Sequence, residues 1–228
     1  MKLSITTIIT LPSLALLTLP PLALAQSPTN CNPATKSLNP SDFILTEQPE
    51  NPNLTTLSKI FTASGRLTQV STLFTDTNRR LTADPSGHLT WQSGDNTTPK
   101  WIPQGISSTA DALEVGTYEG HNGWVVTWHR DDDKSVRVSF VNQGDNTYRH
   151  ALLVYPFAAE DFREVPVHAG GVMWYGDTLW VVDTNNGIRV FDLGNVWEVD
   201  IGEEIGKVEG KKGRYEAREY RYVIPQVR

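Results

Sequence analysis

The chain has 228 residues, with 20 basic against 26 acidic side chains and a formal net charge of −6. An acidic balance of this kind provides no broad basic face for a phosphate backbone, so no nucleic-acid partner is expected. Cys31 is the only cysteine, which excludes an intramolecular disulfide. Its polar surroundings supply no positioned base for a nucleophile.

Lys2, the uncharged run Leu3 to Leu24 and the small-x-small phrase Ala23-Leu24-Ala25 read as a secretory signal cleaved after Ala25. Pro12, Pro20 and Pro21 interrupt the run and argue against an anchor. Cleavage removes only Lys2 among the charged residues, so the exported chain is more acidic still. No later stretch is apolar enough to cross a bilayer, so a secreted, extracellular protein with no membrane span in the mature chain is expected. Residues 26–52, rich in Pro, Ser, Thr and Asn, form a polar tail. Residues 53–228 form the domain. Asn53-Leu54-Thr55 and Asn96-Thr97-Thr98 are glycosylation sequons at Asn53 and Asn96, relevant in a host that glycosylates.

Along the domain, Leu54, Leu57 and Phe61 fall at helical intervals. Leu67 to Phe74 and Arg80 to Thr82 have strand composition. Asp84-Pro85-Ser86-Gly87 marks a turn before a strand at His88 to Gln92. Ser93 to Pro99 is a loop. Trp101 to Ile106 (WIPQGI), Gly123 to His129 (GWVVTWH) and Ser135 to Asn142 (SVRVSFVN) then alternate as strands, with the Asp131-Asp132-Asp133 turn between the last two. Tyr148 to Phe157 supplies an outer strand. The same order returns at His168 to Tyr175, Thr178 to Asp183 and Gly187 to Leu193, joined by the Gly176-Asp177 and Asn186-Gly187 turns. Tyr222 to Val227 repeats the opening phrase. The expected fold is all-β: a partial β-propeller of two to three four-stranded antiparallel blades, after the signal peptide and tail. Its blades lie near 101–157 and 168–221, with a restart at 222. Two units and a fragment do not close a propeller, so a truncated version of a longer protein is expected.

The second unit resembles the repeat of NHL-type six-bladed propellers through Gly176, Leu179, Trp180, Val181, Val182, Asp183, Asn186, Ile188, Arg189, Val190, Phe191 and Asp192. From Trp101 to Val227 the phrases WIPQGISSTADA, VRVSFV, YRHALLVYP, HAGGVMWYGDTLWVVDT and YRYVIPQV are similar to a group of secreted bacterial and fungal hypothetical proteins. The resemblance implies fold and export, and no assigned activity. In propeller enzymes of the gluconolactonase-like and peptidyl-amidoglycolate lyase-like kinds, channel-facing histidines and carboxylates hold a metal. That likeness would give His168 a similar place.

His168, before Ala169-Gly170-Gly171, is the most site-like residue, yet a single histidine without a spaced partner defines no ligand set. No metal site follows from spacing alone, and no cofactor is indicated. Asp183 is read as a turn carboxylate rather than a general base. The Asp131 to Asp133 run lacks the Gly and distal Glu of a calcium loop and reads as a solvated turn. Trp128 and Trp174 either stack on a flat ligand or pack the core, with packing favoured. The cluster Lys207, Lys211, Lys212, Arg214 is interleaved with glutamates and reads as a solvated loop. The leading functional expectation is a binding or scaffold module for an extracellular glycan, peptide or cell-wall ligand. Alternatives are a metal-assisted hydrolase or lyase around His168, needing a divalent metal, and a truncated product without independent activity.

Overall fold

The computed structural model describes residues 39–228. The signal sequence and Cys31 therefore lie outside the described residues. The chain divides into two compact units, Met1–Ile44 and Leu45–Arg228. Among its described residues the first holds a 3-10 turn, Pro40–Phe43. Everything below belongs to the second.

Helix α1 (Pro52–Ala63) buries Leu54, Leu57 and Phe61, as their spacing predicts. Asn51 caps it, its side chain accepting from the Asn53 amide, and Pro52 occupies the first turn, where no N–H is needed. Residues expected in the tail are already bound to the domain: Asn51 donates through its backbone to Val227 and through its side chain to Pro156. Arg228 pairs with Glu47 and Glu50.

Strand β1 (Leu67–Thr68) is followed not by the extended strand expected to Phe74 but by helix α2 (Val70–Thr75). Val70, Leu73 and Phe74 fall at i, i+3 and i+4, so only a helix puts all three on one face, and all three are buried. Next come β2 (Arg79–Arg80), β3 (Thr82–Ala83), β4 (Leu89–Thr90) and the short helix α3 (Ser93–Asn96). The expected Asp84 turn joins β3 to β4, with Gly87 donating to the Asp84 carbonyl.

The next strands follow the sequence expectation except the last, which is an addition to it. They are β5 (Trp101–Ser108), β6 (Gly123–Arg130), β7 (Val136–Asn142), β8 (Thr147–Ala158) and β9 (Asp161–Glu164), with the short helix α4 (Thr109–Ala112) between β5 and β6. They form a continuous antiparallel meander. A second meander comprises β10 (Ala169–Tyr175), β11 (Thr178–Asp183) and β12 (Gly187–Asp192). Then come β13 (Val196–Glu198), β14 (Ile205–Lys207), β15 (Tyr215–Ala217) and β16 (Tyr222–Pro225).

The protein is mostly β, as expected, but its sheets do not form a closed propeller among the described residues. The main sheet runs β1-β13-β16-β8-β7-β6-β5, with β2 and β9 also pairing to β8. The second unit has three strands in its own sheet rather than four. No fourth strand joins it: β13 pairs within the main sheet, and β14 pairs with β15 as a separate hairpin. Tyr222 does not open a third blade. Strand β16 inserts beside β8 and parallel to it, the one parallel pairing in a sheet otherwise antiparallel.

Side-chain distribution explains the insertion. Both faces of the main sheet are covered, so its central strands must be apolar on both alternations. Tyr222 and Ile224 of β16 join Ala151 and Leu153 of β8 in one core, with Phe74, Phe140, Trp174 and Phe191. Val223, Leu152 and Val154 point the other way into a second core with Leu57, Phe61, Phe162 and Trp197. Phe61 stacks on Trp197 at 4.7 Å with planes 3° apart.

Candidate metal centre

The two meanders touch where their opening phrases meet. Strand β5 carries a bulge between Pro103 and Ile106, which breaks its register with β6. The bulge brings Gly105 against β10 so closely that a Cβ there would lie 2.5 Å from the Val172 nitrogen and 2.8 Å from the Gly171 carbonyl carbon. Only glycine permits this approach. It sets the start of β10, and hence His168, beside the end of β6.

His129, expected only as part of a strand, and Asp133, expected in a solvated turn, complete the cluster. His129 closes β6 and is 3 % exposed. Asp133 lies in the β6–β7 turn with φ +56°, a left-handed conformation that Asp tolerates better than most residues. One oxygen of Asp133, Oδ1, accepts from His129 Nδ1 at 2.7 Å and from His168 Nδ1 at 2.9 Å. The histidine rings lie 4.2 Å apart. The three donor atoms all fall within 4.8 Å of one another. The hydrogen bond from His129 and then that from His168 hold the Asp133 carboxyl below the usual carboxylate range, keeping it anionic. The Gln104 amide, on the β5 bulge, stands 3.3 Å from His129 Nε2. With Nδ1 donating to Asp133, His129 Nε2 carries the lone pair and accepts from the Gln104 amide.

The neighbouring aspartates have other duties. Asp132 is gripped by Arg130 at 2.6 and 2.9 Å and pushed down to about 2, chiefly by that hydrogen bond. The turn holds one carboxylate toward the two histidines and spends another on its own arginine.

The other sequence candidates do not join this cluster. Asp183 is buried, and it accepts from the Asn185 backbone, the Asn186 amide and the Arg189 guanidinium. These bonds tie the carboxylate to its own turn and to Arg189. Trp174 is buried in the core, its indole N–H on the Gly176 carbonyl. Trp128 is 1 % exposed and donates to Ser139 Oγ. The guanidinium of Arg137 lies over the Trp128 ring at 4.6 Å. Packing takes up both rings, so neither provides a stacking surface for a flat ligand. Asn53 is half-buried with its amide donating to Pro156, whereas Asn96 is exposed.

A second polar group lies deeper. Asp95 is 8 % exposed and receives Arg137 at 2.9 Å, Tyr148 at 2.7 Å and Arg79 at 3.0 Å. Burial pushes its carboxyl up, but its hydrogen bonds and the nearby positive charge outweigh that and hold it below the ordinary range. Ser139 Oγ bonds His150 Nδ1 at 2.9 Å. His150 Nε2 lies 3.1 Å from Asp95 but off the line of a hydrogen bond. Serine, histidine and aspartate thus stand in sequence, but Ser139 is fully buried and occupied by the Trp128 indole. No substrate atom reaches it, and the arrangement is structural.

The fold and site together define a β-rich protein, built of two packed antiparallel meanders, with a two-histidine, one-carboxylate cluster at their junction. No family model, curated protein or solved structure matches the chain.

Proposed function

We propose that the protein is exported and binds a divalent transition-metal ion through His129, Asp133 and His168. On this reading the β5–β8 and β10–β12 meanders are adjacent blade-like units of the NHL-like kind, with the metal at the junction of their first strands. The observation that carries the proposal is the convergence of two imidazole nitrogens and a carboxylate oxygen within 4.8 Å. The donor set is suited to zinc and its transition-metal neighbours, not to calcium or magnesium, which take oxygen ligands.

Three protein ligands leave a coordination position open, the pattern of a catalytic rather than a structural site. A divalent ion held there supplies Lewis acidity toward a carbonyl or phosphoryl oxygen. The residues' share is to fix that position at the rim of the sheets. His129 is buried, while His168 and Asp133 have side chains 40 % and 45 % exposed. A metal-assisted hydrolase or lyase is therefore preferred to a glycan- or peptide-binding module, whose expected aromatic surface is consumed by the packing of Trp128 and Trp174.

Calorimetric titration of the purified protein with Zn²⁺, Co²⁺ and Ni²⁺ tests the reading. One saturable site is expected, weakened at least tenfold by Asp133→Asn and by His168→Ala. Absence of saturable uptake of all three ions would sink it.

A further inference from the structure

A cleft of about 430 Å³ opens on the main sheet, lined by none of the three cluster residues. It lies between the start of β5, the start of β7, the middle of β8 and the loop joining β15 to β16. Its walls carry Arg79, Lys100, Arg130, Arg149, Arg218 and Arg221 against two carboxylates, Glu164 and Glu219. Six cationic side chains thus share one concavity, five of them ion-paired and Lys100 not.

All five arginines are paired: Arg130 with Asp132 and Glu164, Arg218 with Glu164 at 3.7 Å, and the other three from behind. Arg79 holds Asp95 at 3.0 Å, Arg149 holds Asp76 at 2.8 Å and Arg221 holds Glu198 at 2.7 Å. Each pair uses only part of a guanidinium's five donors and fixes the rest in place. Lys100 is exposed and has no carboxylate partner among the described residues. The aromatic lining consists of Trp101 and Tyr220, whose rings meet edge to face at 6.3 Å.

One buried polar atom at the lining lacks a partner: Ser135 is fully buried and its hydroxyl bonds nothing. Buried polar groups are nearly always satisfied, so an orphan hydroxyl at the cleft wall points to a bound group. The loop bearing Arg218 and Arg221 is held in a costly form. Arg218 and Glu219 both have positive φ, 50° and 68°, around a turn closed by Tyr220 donating to Ala217. Such turns normally take Asn-Gly, and non-glycine residues there cost free energy.

We propose that this cleft binds a small organic anion. Its carboxylate, sulfate or phosphate group is held by Lys100 and the spare arginine donors, with Ser135 hydrogen-bonding from below. Its body, no larger than a sugar ring, lies along Trp101 and Tyr220. The site uses none of the metal-cluster residues and stands or falls separately from the metal reading.

Calorimetry of the metal-free protein at low ionic strength, with D-glucuronate, glucose 6-phosphate, inorganic phosphate and neutral glucose as probes, tests the proposal. At least one charged sugar is expected to saturate a single site that glucose does not occupy, and to weaken as NaCl is raised. Which sugar binds identifies the oxyanion, and a weaker response to inorganic phosphate shows that the body contributes. Lys100→Ala, at an exposed side chain, is expected to keep the thermal midpoint and lose at least tenfold in affinity; Ser135→Ala is expected to lose affinity as well. No saturable binding of any charged probe, or unchanged affinity in Lys100→Ala, overturns the proposal.

Discussion

His129 and His168 face each other with ring centroids 4.2 Å apart and planes at 48°, both bonded to one oxygen of Asp133. They come from different meanders, one from the end of β6 and the other from the residue before β10. The pair therefore reports directly on how the two sheets are joined.

Their burial differs, and so will the stability of their variants. His168 is partly exposed, so His168→Ala is expected to change unfolding stability by no more than about 0.5 kcal/mol. His129 is enclosed, and His129→Ala leaves a void and an orphaned partner, costing about 1–3 kcal/mol. Urea unfolding of both variants without metal measures this. Equal losses would mean that the exposure of His168 is misjudged.

Gly105→Ala tests the junction itself. The added methyl would meet the β10 backbone, which cannot rotate away as a flexible side chain does. A loss of about 1–3 kcal/mol is expected, together with weakened metal binding, because β10 and His168 shift from His129. Retained stability and retained metal affinity would show that the two strands are not in contact.

Asp183→Asn separates a turn carboxylate from a ligand. Loss of the charged bond to Arg189 is expected to cost about 1–3 kcal/mol, with metal affinity unchanged. A tenfold fall in metal affinity would return Asp183 to the site.

The pH dependence follows from His150. Burial, with the charge of Arg137, lowers its imidazole from 6.5 to about 4 against the opposing pull of Asp95. In this window the unfolded chain binds the proton and the folded chain does not. Stability is therefore complete above about pH 6.5 and falls by about 3 kcal/mol as pH drops to 4. Denaturant midpoints across that range measure it, and His150→Gln is expected to flatten the profile. An equal slope in that variant would assign the loss to other groups.

The sequons separate by geometry. In a host that glycosylates, Asn96 is exposed and open to modification, while the Asn53 amide is engaged with Pro156. Peptide mass spectrometry is expected to find glycan at Asn96 alone, and occupancy of Asn53 would show that α1 forms after modification.

Local pattern made much of this fold legible. The spacing of Leu54, Leu57 and Phe61 specified α1. The alternation in GWVVTWH and SVRVSFVN about the Asp131 turn specified strands of the first meander, and the apolar runs flanking the Gly176 and Gly187 turns those of the second. These are short-range effects of side-chain period and turn chemistry, carried by any few consecutive residues. Six residues starting at Val70 were too few to separate helix from strand until their burial was known. His168 drew notice through its glycines, whereas His129 and Asp133 look like a strand end and a solvated turn.

The sequence by itself determined the β character, the hairpin boundaries and the core faces of these segments, because each depends on neighbours in the chain. Only the tertiary structure decided that Tyr222–Pro225 enters the main sheet beside β8, and that β10 reaches β5 closely enough to bring His168 to His129. Strand partners and converging side chains are chosen by which surfaces bury one another across long loops, and that selection leaves no local period to read.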